Sequence, residues 1–269
     1  MLELDQEEGE ETDAALRLRA EHRLQEALEL LSAPGDYAQD VYTLRGDLQV
    51  ELGQIHEAVG SYSTVIALDP ENLYAHRNLA ACLHRLSRWE AGADAFRKIL
   101  DRDTYSDAAR LGLGDCLLHL NQPEDALTCF EACWSEAAFQ PALFGKATAL
   151  QLLRRFDEAE AMYLRFLELH PDSEETLGNL IALGLEVFDL SRIERYATQL
   201  LKRHPNSAAA LQALTMVAFE RSAYENASEY YARLLKVVPE ETLMQSSGDD
   251  VLEYRLSAKN VGLLHHIDE

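Results

Sequence analysis

Apolar and small side chains recur along this chain at helical spacing, and short polar breaks interrupt them. The clearest stretch begins with Leu113-Gly114, has a polar break at Asn121-Gln122-Pro123, and continues with Ala126 and Phe130. Residues three or four positions apart share one face of a helix, and proline is well tolerated at a helix start. The pattern therefore predicts two amphipathic helices that approach closely at their small residues, which is a helical hairpin.

The same arrangement recurs with a nearly constant period. The small residue of the second helix returns at intervals of 34, 34 and 33 residues, at Ala58, Gly92, Ala126 and Ala159. An aromatic residue stands four positions after each, at Tyr62, Phe96, Phe130 and Tyr163. Prolines fall on the same period at Pro70, Pro171, Pro205 and Pro239. Such self-similarity indicates an array of helical repeats.

These residues resemble the tetratricopeptide repeat family, whose pattern has a leucine and a small residue on the first helix, then a spaced alanine, aromatic and proline. The last copy in the chain reads Leu214, Ala218, Ala227, Tyr231 and Pro239. The resemblance covers roughly residues 39 to 240. It implies an all-α fold, a right-handed α-solenoid of helical hairpins whose inner, concave surface holds extended peptides.

Some positions depart from this pattern. Thr104 and Ala138 stand where the period expects proline. The copy that ends at Pro205 has Ile193 and Ala197 in place of the alanine and the aromatic residue. We expect that copy to be the least regular hairpin.

The periodicity divides the chain into four parts. Residues 1–11 form an acidic N-terminus that we expect to be disordered, because like charges oppose burial. Residues 12–38 are predicted as an N-terminal capping helix region that starts at Thr12-Asp13. Six repeats fill residues 39–241. Their internal turns are predicted at Gly53-Gln54, Ser87-Arg88, Asn121-Gln122-Pro123, Arg154-Arg155, Phe188-Asp189 and Ser222-Ala223.

The last part, residues 242–269, is predicted as a polar turn followed by a C-terminal capping helix and tail. An end repeat exposes an apolar face, and a helix from Val251 to Leu264 would cover it. The alternative is a tail that folds onto a partner or onto a second copy of the chain.

The composition excludes several classes of partner. The chain carries 47 acidic and 24 basic side chains, for a formal net charge of −23. This charge repels nucleic acid phosphates and anionic lipid, so we expect no nucleic acid partner. No segment approaches the roughly 18 apolar residues of a membrane span, and the acidic N-terminus is unlike a secretory signal. We expect no membrane insertion and a cytoplasmic location.

The sequence offers no enzyme motif, neither a glycine-rich phosphate loop nor a metalloprotease or serine-hydrolase signature. Cys129 and Cys133 lie one turn apart and could be imagined as metal ligands, as could His265-His266, but no further ligands are placed beside them. Cysteine also packs as a small apolar residue. We therefore expect no catalytic residue, no metal and no cofactor, and free thiols suit a reducing compartment.

Helical geometry locates a candidate binding surface. At about 100° per residue, offsets of −6, −3, −2, +1, +4 and +5 from the small first-helix position share one arc beside the buried stripe. In the family that these residues resemble, this arc lines the concave groove. The predicted groove residues are Asp47, Glu51, Tyr74, Arg77, Asn78, Asp115, His119, Phe144, Thr148, Asn179, Glu186, Met216 and Phe219.

The charges at these offsets favour one kind of partner. Acidic residues outnumber Arg77 and Arg85, so we expect a basic peptide or helix with a few apolar anchors. Relatives that grip the acidic tails of heat-shock chaperones use lysine, arginine and asparagine from successive repeats, and we do not expect that role here. Asn78 and Asn179 could pair with a ligand's backbone or could simply be solvated.

The leading hypothesis is a non-enzymatic scaffold or adaptor that binds a segment of another protein in its groove. Two alternatives stay open. The array could be the substrate-recruiting module of a larger enzyme system. It could also be a structural protein that self-assembles through its end repeats and its C-terminal segment.

Overall fold

The computed structural model describes residues 2–31 and 39–238, with side chains from residue 11 onward. These residues form fourteen α-helices and no strand, which confirms the predicted all-α class. The helices are α1 Leu2–Ala20, α2 Leu24–Leu30, α3 Gln39–Glu51, α4 Ile55–Leu68, α5 Leu73–Arg85, α6 Trp89–Arg102, α7 Asp107–His119, α8 Pro123–Glu131, α9 Glu136–Leu152, α10 Phe156–Leu169, α11 Glu174–Glu186, α12 Leu190–Arg203, α13 Ala208–Glu220 and α14 Tyr224–Val237.

The chain divides into two units, residues 1–154 and 155–269. The first contains α1 to α9 and the second contains α10 to α14. Within each unit, successive helices pack against each other, as α3 does on α4 and α11 on α12. Odd-numbered helices also contact the next odd-numbered helix, as α5 does α7 and α11 does α13. The first helices of neighbouring hairpins therefore form one layer in each unit.

Every turn inside a hairpin is built around one residue with positive φ. The seven residues are His22, Gly53, Ser87, Asn121, Arg154, Phe188 and Ser222. In the turn after α5, the amide of Arg88 donates to the carbonyl of Leu83 at 2.9 Å, and the amide of Ser87 donates to His84. This left-handed cap satisfies carbonyl groups at the helix end. Six of the seven turns lie where the sequence predicts them.

The seventh turn, at His22, differs from the sequence analysis. Residues 12–38 are predicted as one capping helix, whereas α1 and α2 form a complete hairpin. Ala15, Ala27 and Leu31 are fully buried, and their spacing equals that of Gly46, Ala58 and Tyr62. The N-terminal segment is therefore a further repeat in which leucine replaces the aromatic residue.

Helix α1 begins at Leu2, which differs from the expected disorder of residues 1–11 and from a helix start at Thr12-Asp13. Acidic residues near a helix N-terminus interact favourably with the helix dipole, so the acidic run is compatible with helix. Pro34-Gly35 and residues 242–269, including the predicted C-terminal capping helix and His265-His266, lie outside the described residues. Those predictions stay untested.

Glycine and aromatic residues set the distance between helices in the first unit. A Cβ added at Gly46 would lie 2.8 Å from the Tyr62 ring, and one at Gly114 would lie 2.7 Å from the Phe130 ring. A Cβ at Gly145 in the following hairpin would also meet Phe130, at 2.5 Å. Only a residue without a side chain allows such an approach. Phe130 thus joins three helices, α7, α8 and α9.

The junction before α9 lacks the expected proline and is held by Asp107 instead. The Asp107 carboxylate accepts hydrogen bonds from the amides of Trp134 at 3.2 Å and Ser135 at 2.8 Å. Arg110 pairs with the same carboxylate at 2.7 Å. Helix α9 starts at Glu136, so Ala138, which stands where the period expects proline, lies inside the helix. At this junction the buried Asp107 side chain therefore takes the place of the proline that ends other repeats.

Candidate peptide-binding surface

All thirteen predicted groove residues lie on odd-numbered helices, which are the first helices of their hairpins. In the first unit they are Asp47 and Glu51 on α3, Tyr74, Arg77 and Asn78 on α5, Asp115 and His119 on α7, and Phe144 and Thr148 on α9. In the second unit they are Asn179 and Glu186 on α11, and Met216 and Phe219 on α13. Each unit thus presents its own set.

Two predicted groove acids already have partners within the protein. Asp47 accepts hydrogen bonds from the hydroxyls of Tyr62 at 2.7 Å and Tyr74 at 2.8 Å. Arg19 of α1 donates from Nε to Glu51 at 2.8 Å and lies 3.8 Å from Asp47. Burial and the bond to Asp47 raise the pKa of Tyr74. These contacts join α1, α3 and α5 and occupy the acids expected to attract a basic ligand.

Sequence reasoning missed Arg19, although a signal was present. Arg19 stands four positions after Ala15, which is the offset of a groove residue once the N-terminal hairpin is counted as a repeat. The hydrogen bond to Glu51 raises the pKa of its guanidinium. The layer of first helices in the first unit therefore contains a base, Arg19, that is absent from the predicted groove residues.

The next pair along the layer is also occupied. His84 Nε2 lies 2.5 Å from a carboxylate oxygen of Asp115. The indole of Trp89 stacks on His119 at 3.8 Å between centroids and 7° between planes, and meets the edge of His84 at 5.3 Å. Asp115 and His119 are thus held by neighbouring repeats.

A pocket of about 370 Å³ opens between α5, α6 and α7. Six of its lining residues stand at the predicted inner offsets, and these are Arg77, Ala81, His84, Arg85, Ala108 and Gly112. The floor comes from Phe96 and Ile99 of α6, with Ala109 and Ser106 beside them. Of the thirteen predicted groove residues, only Arg77 lines this pocket.

Three models of the tetratricopeptide repeat match the sequence, over residues 43–107, 86–143 and 141–173. They agree with the hairpins, the period and the turns described above. The chain belongs to the tetratricopeptide repeat (TPR) family. The resemblance on which the sequence analysis relied is confirmed.

Several solved structures are similar to this TPR chain. PilW, described as a widely conserved type IV pilus biogenesis factor, gives a TM-score of 0.63 at 19% identity and covers 77% of this chain and 96% of its own. A tetratricopeptide repeat protein from Parabacteroides merdae gives 0.65 at 15% identity, covering 89% and 97%. YrrB, described as a TPR protein with an unusual peptide-binding site, gives 0.53 at 18%, covering 68% and 94%. At these identities the likeness shows the fold alone.

Two polar residues of the predicted groove form hydrogen bonds within their own helix. Asn78 donates to the carbonyl of Tyr74 at 3.1 Å, and Thr148 donates to that of Phe144 at 3.2 Å. Both bonds run back one turn of the same helix, so they do not join repeats. Asn179 is half-buried on α11. Asn78 has the same degree of burial.

In the second unit, two apolar residues of the predicted groove are partly accessible to solvent. Met216 and Phe219 are half-buried on α13, and Glu186 is exposed at the end of α11. The Phe219 ring meets Tyr224 of α14 edge-on at 5.8 Å. Apolar anchors and one acid are thus presented on the first helices of this unit.

All four cysteines are free, and Cys82 and Cys116 are buried. Burial raises the pKa of the Cys116 and Cys133 thiols to about 11, so they stay protonated at neutral pH.

Within residues 11–31 and 39–238 no cluster of His, Cys, Asp and Glu side chains could hold a metal ion. Across the helices described, none is long and apolar enough to cross a bilayer.

Proposed function

We propose that this TPR protein is a non-enzymatic adaptor that binds a segment of another protein on the first helices of its hairpins. The TPR fold is an interaction module, and the observation that supports this use is the pocket of about 370 Å³ at the predicted inner offsets. Exposed or half-buried apolar groups on the same helices, among them Tyr74, Met216 and Phe219, offer further anchor points. A peptide or helix lying along the first helices of one unit would contact successive repeats of that unit.

The partner that we propose carries a net positive charge. The chain's formal charge of −23 attracts cations over a distance and speeds their association. Close recognition of a basic segment by Asp47, Glu51 and Asp115 has weaker support, because all three already bind groups of this chain. The proposed role of charge is therefore steering rather than contact.

Hydrogen exchange tests where the partner binds. The full chain is used to capture proteins from native cell lysate at low and high salt, and the captured partner is then purified and added back. We expect slower amide exchange in α5, α7 and α13 than in α6, α8 and α14. Protection confined to the even-numbered helices would contradict the proposed surface, and an association rate that does not change with salt would contradict the basic partner.

The recruiting-module and self-assembly alternatives make different predictions. A recruiting module would copurify with a catalytic subunit, and self-assembly would raise the mass in light scattering with concentration. A constant monomer mass together with protection of the first helices by another protein supports the adaptor. We also propose a cytoplasmic location, which the four free thiols support; fractionation of native cells tests it.

A further inference from the structure

The geometry points to a specific anchor for the pocket between α5, α6 and α7: an apolar side chain of the partner that stands next to an internal aspartate or glutamate. This inference rests on the proposed function and assigns the kind of residue that the pocket selects. It concerns the local contact, and it is compatible with a partner whose net charge is positive.

The pocket has an apolar floor, in which small residues leave only the edge of the buried Phe96 ring to line the space. A Cβ added at Gly112 would clash with the Phe96 ring, so glycine both admits the ring and leaves the space above it open. Ala81 and Ala108 on either side are short and exposed. Removing an apolar side chain of the partner from water over Ala81, Ala108 and the edge of Phe96 is favourable in proportion to the buried area.

One cation at the pocket rim has no acidic partner in the part of the chain that the structure describes. Arg77 donates to Asp103 at 2.9 Å, and His84 is bound to Asp115. Arg85 is exposed and makes no ion pair with any residue of 11–31 and 39–238. The chain carries 47 acidic side chains, yet none of those described neutralises this arginine. The rim is thus ready for a carboxylate from outside.

Because Arg85 stands at the pocket rim, the apolar residue and the acidic residue of the anchor can be bound at the same time. A guanidinium binds a carboxylate through two parallel N–H···O bonds, and this one stands at the edge of an apolar pocket. A side chain seated over Phe96 brings its neighbour in the bound segment to the rim. An aspartate or glutamate there meets Arg85, whereas a lysine or arginine would be repelled. Specificity arises from attraction and repulsion at one site.

The test selects peptides from a random library displayed on phage against the full chain. The best peptide is then synthesised and its affinity measured by fluorescence anisotropy. We expect sequences enriched in an acidic residue next to Phe, Leu or Trp. Binding should weaken about tenfold or more with Ala108→Leu, which fills the pocket, and with Arg85→Glu, which reverses the rim charge. Changing the acidic residue of the peptide to lysine should restore binding to Arg85→Glu.

Ala161→Leu is the control. Ala161 is exposed on α10, a second helix outside the proposed binding surface, and it does not line the pocket, so this variant adds the same side chain elsewhere. Circular dichroism checks that all variants stay folded. Selected peptides rich in lysine, or peptides that bind all variants equally, would overturn the inference and leave the adaptor proposal standing. A chain that selects no peptide at all would count against both.

Discussion

Hairpin α7–α8 in the first unit and hairpin α11–α12 in the second pack with opposite size patterns. In α7–α8 the first helix contributes Gly114 and the second contributes Phe130, whose ring fills the space above the glycine. In α11–α12 the corresponding positions are Ile181 and Ala197. The large residue has moved to the first helix and the small one to the second.

In the second unit, two neighbouring residues restore the match between large and small side chains. One lies a turn beyond Ile181, and the other is next to Ala197. Gly184 lies a turn beyond Ile181, and a Cβ there would be 2.9 Å from Ile193 Cγ1. Tyr196, next to Ala197, is fully buried and donates its hydroxyl hydrogen bond to Glu160. Close packing requires large residues to meet small ones, but it does not require them at fixed positions. The hairpin survives because the complementarity is kept.

The largest expected effect comes from removing the ring in either pattern. Phe130→Ala and Tyr196→Ala should each lower the free energy of unfolding by about 3–5 kcal/mol, since both leave a cavity. Urea unfolding followed by circular dichroism measures this. Tyr105→Ala is the control, because that ring is 74% exposed and its loss should cost under about 0.5 kcal/mol. A small effect at Tyr196 would show that it does not replace the repeat aromatic.

A second prediction concerns overpacking at the glycine. Gly114→Leu should cost about 1–3 kcal/mol, because the added side chain meets Phe130. The matched change in the second unit is Gly178→Leu on α11, where an added Cβ meets nothing within 4 Å. Leucine should be neutral or stabilising there, since it favours helix. Equal melting temperatures for the two variants would contradict the glycine–aromatic account.

The third prediction concerns Asp107 at the proline-free joint before α9. Burial alone raises the pKa of Asp107, but hydrogen bonds from Ser135, Arg110 and the Trp134 amide outweigh it and lower the pKa to about 2, from an ordinary value of 3.8. A lowered pKa contributes stability that is complete above pH 4 and is lost as the pH falls toward 2. The loss should be on the order of 2 kcal/mol.

Asp107→Asn provides the readout for this joint. Its urea midpoint should lie below that of the wild-type protein at pH 7, and the difference should shrink between pH 4 and pH 2. A difference that stays constant over that range would show that the carboxylate is not stabilised by ionisation.

The smallest expected effect is at the hydroxyl of Tyr196. Tyr196→Phe keeps the ring and removes the hydrogen bond to Glu160, so it should cost roughly 1–2 kcal/mol. A double-mutant cycle with Glu160→Gln isolates the bond. A coupling energy near zero would mean that packing alone allows Tyr196 to replace the aromatic at the regular position.

Much of the fold could be predicted from local signals. The period, the six turns from Gly53 to Ser222 and the contact of Gly114 with Phe130 depend on helix spacing, caps and small residues that a single repeat displays. The hairpin of α1 and α2 was missed because Leu31 is not aromatic, although Ala15 and Ala27 have the regular spacing. The irregular hairpin was foreseen at Ile193 and Ala197, but the compensating role of Gly184 and Tyr196 was not.

The sequence by itself determined which residues share a helix face, because helical periodicity places residues on a face before any packing occurs. Only the tertiary structure decided which charges on the first helices are already paired. Glu51 meets Arg19 and Asp115 meets His84 across separations of 32 and 31 residues. A count of charged residues cannot show these pairs, because ion pairing depends on the distance between the groups in space. Among the described residues, Arg85 has no ion pair at the pocket rim, although acids outnumber bases in the sequence.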